Sequence, residues 1–309
     1  ADLSTWRTIG STLANMVIGV ATPMVAYVVV DGKTVMSGSR MTIIAGVFSI
    51  CAILCYIVCF KLTGERVEVP ASNQKISASA IFKSIFTNKA LLGIIVAAIF
   101  VLLSQLTVMS LAGYVYPNVY GSAAAQSTAS LLGTVVMLVV CAPFASKLSA
   151  KFGKKELAMG SSIFSALVWL VCLIWRPASV WGFVACYILA NIGMGFFNTI
   201  IWAMITDVID DAEVRNGVRE DGTIYSVYSF ARKLGQAFSS GLVGALLGII
   251  GYTEATAFDP AVTRGIFNMA CIAPIIGFVC IVLALAFLYP LNKKKVEENV
   301  AELAARRNK

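Results

Sequence analysis

Eight apolar stretches, at about 8–30, 41–63, 90–115, 126–146, 157–175, 179–205, 223–250 and 265–290, constrain the fold of this chain more than any other feature. Each is close to or above the roughly 20 residues that a helix needs to cross a hydrocarbon core of about 30 Å. None alternates with the period of two that a barrel strand would carry. Backbone N–H and C=O groups in lipid must be bonded within the protein, which leaves helices as the spanning element. The expected fold class is an all-α polytopic membrane protein with eight transmembrane helices.

Charge usage agrees. Only 13% of the residues are charged, against about 25% in a soluble domain, too few to cover a water-exposed surface. Seventeen Lys and Arg residues, among them Lys61, Lys83, Lys151, Lys155 and Lys293, fall in one set of connections, and four, Lys33, Arg40, Arg176 and Arg264, in the other. Basic loops mark the cytoplasmic side. Both termini are therefore expected in the cytoplasm, with the protein in the cell membrane. The net charge of +8 then faces anionic lipid rather than nucleic acid.

Several chemistries lack the residues they need. The chain has no histidine, no HExxH and no GxSxG, so an enzyme reading has no motif to rest on. All eight cysteines lie inside apolar runs. Cys51, Cys55 and Cys59 share a helical face, a spacing open to a soft metal, but without CxxC or His they read as packing hydrophobes. Neither a cofactor nor a bound metal is expected.

The longest hydrophilic connection, 64–89, contains Pro70 and the run Ala71-Ser72-Asn73-Gln74-Lys75 and reads as a cytoplasmic linker between bundles. It separates two helices in 1–63 from six in 90–290, and leaves 291–309 as a cytoplasmic tail. That tail carries an apolar trace of Val296, Val300 and Leu303 suited to a short helix near the membrane surface. Transporters of two six-helix halves would place 1–63 as the last two helices of an N-terminal bundle. Four helices would then precede this chain, and its start at Ala1 without Met agrees.

Charge within a span costs about 2.5–3.5 kcal/mol even on insertion scales. Lys233 lies eleven residues past Gly222, roughly 16 Å along its helix and close to the midplane. Ser226, Ser229, Gln236 and Ser240 share its face at helical spacings. Such a stripe forms either an interhelical hydrogen-bond seam or the wall of a water-filled substrate path. Arg7, with Asn15 two turns on, is either a snorkelling anchor or part of that path. Asn198 and Trp202 suit a sugar, whose apolar face stacks on an aromatic ring while its hydroxyls meet amides. Trp202 is equally suited to an interfacial anchor. The connection from Asp207 to Gly222 holds Asp207, Asp210, Glu213, Arg215 and Arg219. It lacks the order of an EF-hand and reads as a cytoplasmic ion-pair network that changes as two bundles rock.

The run Asp207 to Gly222, followed by Thr223-Ile-Tyr225-Ser226-Val-Tyr228-Ser229-Phe230-Ala-Arg232-Lys233-Leu-Gly235-Gln236, resembles the melibiose-permease-like glycoside–pentoside–hexuronide:cation symporters of the major facilitator superfamily. Leu3-Ser4-Thr5-Trp6-Arg7 resembles the start of that family's fifth helix. The resemblance runs through the chain as helices five to twelve of twelve. It implies symport of a glycoside, pentoside or hexuronide with Na⁺ or H⁺. It places Lys233 beside the sugar and cation sites, Ser229 one turn earlier, and Arg7 in sugar recognition. Asp207, Asp210 and Glu213 match acidic positions at the cytoplasmic end of helix ten, and the family's tenth-helix Trp falls one turn from Trp202, nearer Asn198. The family's cation-binding carboxylates sit on helices two and four, so this chain is not expected to transport alone. A lysolipid or other amphiphile carrier of the same fold is the alternative.

Overall fold

The computed structural model describes residues 2–30, 33–62, 88–217, 219 and 221–307; the side chains of 2–9, 12, 16, 30, 33 and 307 fall outside that description. The linker expected over 64–89 lies almost wholly outside the described residues.

Helix α1, Asp2–Ala26, ends at the turn that contains Pro23. The expected span of 8–30 is thereby corrected at its end: Tyr27–Val30 forms strand β1 and pairs antiparallel with β2, Lys33–Met36, in the register Tyr27↔Met36 to Val30↔Lys33. The cause is local. Three consecutive valines favour a pleated backbone, and Asp31-Gly32 between the strands is a dipeptide suited to a tight hairpin. Helix α2, Gly38–Leu62, is apolar all round and buries none of its residues. It touches α1 and turns Cys51, Cys55 and Cys59 outward.

The remaining helices form one packed bundle. These are α3, Lys89–Val119; α4, Ala123–Phe152; α5, Lys154–Trp175; α6, Val180–Asn216; and α8, Pro260–Phe287, with α7, Asp221–Ile249. Side-chain caps start three of them: Asn88 accepts from Leu91 N, Ser122 from Ala125 N, and Ser179 from Trp181 N, each satisfying a donor that the first turn leaves without a partner. Two π-type turns interrupt the ladders, at Val115–Val119 around Pro117 and at Met137–Cys141 just before Pro143. A proline removes one N–H and pushes on the carbonyl a turn earlier, so the register widens there.

Helix α3 is the hub, packed against both α7 and α8, while α5 joins α8 to α6 and α4 joins α6 to α1. Small residues set the closest approaches. A Cβ on Gly235 of α7 would lie 3.0 Å from the Ile99 carbonyl oxygen of α3, and one on Gly277 of α8 would collide with Ser104. Lipid offers no hydrophobic drive between helices, so such approaches and the dispersion contacts they allow hold the bundle together. At the end of the bundle where α6 starts, Phe183 gathers Tyr116, Tyr120, Trp169 and Phe267 with ring centroids 5.6–6.0 Å away.

Among the described residues six helices, α2 to α6 and α8, are long and apolar enough to cross a membrane. The other two expected spans differ in composition. The apolar part of α1 runs over Leu13–Ala26, and α7 is 29 residues long but carries its charges and hydroxyls within that length. The tail forms helix α9, Lys293–Arg307. Val296 and Leu303 turn inward and Val300 stays exposed, so the apolar trace is divided between the protein and its surroundings.

Gly277→Leu should wedge α8 from α3 at a cost of about 1–3 kcal/mol and lower the thermal midpoint of the detergent-purified protein. Gly46→Leu, on α2 with nothing within 4 Å, should leave the midpoint unchanged. Scanning fluorimetry on the two variants checks this.

Candidate functional site

Helix α7 presents two unlike faces. Ile224, Tyr228, Ala231, Gly235, Ser239 and Val243 are buried, and this stripe meets α3, where the Ser239 and Thr107 hydroxyls lie 3.4 Å apart. Ser226, Ser229, Lys233 and Ser240 are exposed and Gln236 is half-buried. The polar stripe is therefore not the α3–α7 seam. Ser226 and Ser240 donate to the carbonyls of Gly222 and Gln236 one turn back, and Lys233 Nζ donates to Gln236 Oε1 at 3.3 Å.

Beside this face, three helices bring polar and aromatic groups together. Asn198 Nδ2 of α6 donates to Gln105 Oε1 of α3 at 3.4 Å. One turn along α6, Trp202 meets Tyr228 of α7 edge to face, with centroids 5.4 Å apart. The Arg232 guanidinium lies 5.6 Å from the Trp202 ring centre and 5.8 Å from that of Tyr228. Its Nη1 donates to the Tyr228 hydroxyl at 3.4 Å. The set is continuous, because Asn198 and Trp202, and likewise Tyr228, Arg232 and Gln236, are one turn apart.

The sequence pattern of the MFS/sugar transport protein family matches residues 1–293. The chain belongs to that family. It is 30% identical over 98% of its length to an uncharacterized symporter, YjmB, of Bacillus subtilis (strain 168). It is 28% identical over 84% to a glucuronide carrier protein homolog of Escherichia coli (strain K12), and 28% identical over 99% to a putative sulfoquinovose importer of Salmonella typhimurium. The chain spans 64%, 56% and 64% of those relatives' lengths. As a member of the MFS/sugar transport protein family it is a multi-pass membrane protein.

Of the residues singled out from the sequence of this family member, Asn198, Trp202, Ser229, Lys233 and Gln236 lie on α6 and α7 at the polar group just described. Asn15 is exposed on α1, whose principal partner is α4; among the described residues no hydrogen bond joins it to α6 or α7. Arg7 is on the same helix and its side chain is outside the described residues. Gln105, Tyr228 and Arg232 were not anticipated. A glutamine inside Leu102-Leu103-Ser104-Gln105-Leu106 is a signal for the first, and a second cation beside Lys233 for the last.

Asp207, Asp210, Glu213, Arg215 and Arg219 do form ion pairs, at the far end of α6. Lys154 Nζ meets Asp207 Oδ1 at 2.6 Å, Arg215 meets Asp211 at 2.9 Å, and Arg219 meets Asp210, Glu213 and Asp221 at 2.9, 2.8 and 2.9 Å. Hydrogen bonds donated to the Glu213 carboxylate and then to that of Asp210 raise the Arg219 pKa above its ordinary value. Helix α9 closes this end: Asn299 donates to Asp211 at 3.1 Å, and Arg306 donates to the last carbonyls of α6, at Glu213 and Val214. Lys155 Nζ donates to the Tyr289 carbonyl at 2.6 Å. Burial, then the nearby Asp207, pushes the Tyr289 hydroxyl well above its usual range. These partners belong to α5, α6, α9, the first residue of α7 and the segments that flank α7 and α9.

The first 62 residues touch the bundle at its opposite end. Ser127 of α4 donates to the Val20 carbonyl at 3.2 Å, Tyr27 to the Gly113 carbonyl at 2.9 Å, and Thr34 to the Gly121 carbonyl at 3.2 Å. Burial, with Tyr114 and Tyr252 adding to it, pushes the Tyr27 hydroxyl up to about 12, which keeps it a donor.

Removing Lys154 strands the Asp207 carboxylate, which is 5% exposed. Lys154→Ala should cost about 1–3 kcal/mol, below the 3–5 of a fully buried pair because the lysine side chain is about one-third exposed. Lys154→Ala with Asp207→Ala should cost less than Lys154→Ala alone. Thermal unfolding of both variants in detergent tests the coupling.

Proposed function

We propose that this chain forms the larger part of a secondary active transporter that carries a glycoside, pentoside or hexuronide across the cell membrane with Na⁺ or H⁺, by alternating access. The observation that carries the reading is the group spanning three helices: Gln105, Asn198, Trp202, Tyr228, Ser229, Lys233 and Gln236. Two amides in contact, Asn198 and Gln105, and a lysine held by a third, Gln236, next to a half-exposed indole, suit a polyhydroxylated ring with one apolar face. Family membership supports transport. The names of two relatives, a glucuronide carrier homolog and a putative sulfoquinovose importer, support a sugar.

In this reading α1 to α8 are eight spans that correspond to helices five to twelve of a twelve-helix protein. Residues 1–63 are the last two helices of the N-terminal bundle, 64–89 the cytoplasmic linker, 90–290 the C-terminal bundle and 291–309 a cytoplasmic tail. Both termini face the cytoplasm. Coverage of less than two-thirds of the relatives' length and the distribution of basic residues favour this assignment. Arg7 and Asn15 would reach the sugar from the N-terminal bundle. Lys233 would act as the electrostatic partner of the carboxylates that bind the cation. The Asp207, Asp210, Glu213, Arg215 and Arg219 pairs would stabilise the cytoplasmic end as the halves rock. The amphiphile-carrier alternative is not supported by the relatives, none of the three being named for a lipid.

Uptake of labelled galactosides, xylosides and glucuronides by cells expressing the full-length protein tests the reading, with a lysolipid as the competing substrate. Gradient-driven accumulation of a sugar, abolished by an ionophore, is expected. Lys233→Ala should reduce coupled accumulation at least about tenfold, the loss of one charged interaction of about 1.4 kcal/mol or more. Undiminished coupled uptake by Lys233→Ala would remove that residue from the mechanism.

A further inference from the structure

We infer that Arg232 is a specificity-determining residue of the site and selects sugars that carry a carboxylate or sulfonate; the inference rests on the transport reading above. Arginine stays protonated under all ordinary conditions, and a cation within a span needs a partner. At the Asp207–Arg219 end of the bundle that need is met, since Lys154, Arg215 and Arg219 all have carboxylates within 2.9 Å. Among the described residues neither Arg232 nor Lys233 makes an ion pair. Two adjacent positive charges therefore stand about 16 Å along α7 from Asp221, roughly half a hydrocarbon core.

Arg232 is also held in place rather than extended to water. Its guanidinium lies over Trp202 and Tyr228 at 5.6 and 5.8 Å, and one of its five N–H donors is used by the Tyr228 hydroxyl. The aromatic contacts fix the plane and reduce the rotamer entropy lost on binding, and the remaining donors keep the fork that matches a carboxylate or sulfonate. Successive residues on a helix point about 100° apart. Arg232 and Lys233 thus flank the strip that carries Ser229 and Gln236, which places hydroxyl-binding groups between two cations. An acidic sugar fills that arrangement with its anion toward Arg232 and its hydroxyls along the strip, and relieves the repulsion between the neighbouring charges.

The test uses the full-length protein in proteoliposomes, with methyl glucuronide, a 6-sulfonated methyl glucoside and neutral methyl glucoside as substrates. The wild type should prefer the charged sugars by about tenfold or more, the range of a charge-assisted hydrogen bond. Arg232→Gln should bring the charged-to-neutral ratio close to one, and Arg232→Lys should retain part of the preference. Preference for only one of the two anions would assign the site to that anion. An unchanged ratio in Arg232→Gln overturns the inference even if total uptake falls, because a packing role, or a carboxylate partner elsewhere in the protein, lowers uptake of all substrates alike. If Arg232→Gln fails to insert, inhibition of wild-type uptake by glucuronate against its neutral isostere glucuronamide decides, and equal inhibition overturns the inference. A wild type that carries no sugar of either class overturns the transport reading, and this proposal with it.

Discussion

A hydrocarbon medium offers a backbone amide no partner, and the architecture of this chain follows from meeting that demand within each helix. Once the ladders are closed internally, burial of apolar surface no longer distinguishes one helix arrangement from another, because lipid is as apolar as leucine. Shape takes over. Gly235 against Ile99 and Gly277 against Ser104 let α7 and α8 approach α3 closely enough for backbone to touch side chain. Where proline breaks a ladder, at Pro117 and Pro143, the chain answers with a π-type turn inside the helix, and the freed groups remain in protein.

The same demand sorts the charges. At the end of the bundle formed by α6 and α9, carboxylates and cations neutralise one another in a network that also caps the last carbonyls of α6 through Arg306. At that end Lys154, Arg215 and Arg219 each meet a carboxylate within the protein. On α7 the charges are arranged in the opposite way: Arg232 is supported by aromatic rings and Lys233 by an amide. Among the described residues neither of these two cations makes an ion pair, which is the contrast with the paired charges at the end of α6. The two regions are about twenty residues apart along the chain, yet α7 presents the second on the face that α3 does not cover.

Much of this was legible from the sequence because length and charge have few alternatives in a membrane. The apolar stretches fell where helices form, and the acidic and basic residues after Met204 did pair. The hairpin at Tyr27–Met36 was missed because a run of valines counts as apolar in a span and as β-branched in a strand, and only the Asp31-Gly32 dipeptide separates the two. The tail forms the expected short helix, and what the sequence did not show is that Asn299 and Leu303 are buried and bind it to the end of α6. Arg232 escaped notice because a periodicity centred on Lys233 leaves its neighbour off the stripe.

Sequence alone determined that the chain spans a membrane, that its loops are of opposite basicity and that polar groups line one face of α7, since each follows from a composition that water or lipid would reject in any other arrangement. Which polar groups meet was decided by tertiary structure. Trp202 could anchor an interface or face a sugar, and it was the packing of α6 beside α7 that set it against Tyr228 and Arg232. Helix periodicity orients a side chain about its own axis, but the neighbour it finds depends on how closely two backbones approach, and that is fixed by the glycines and rotamers of both helices together.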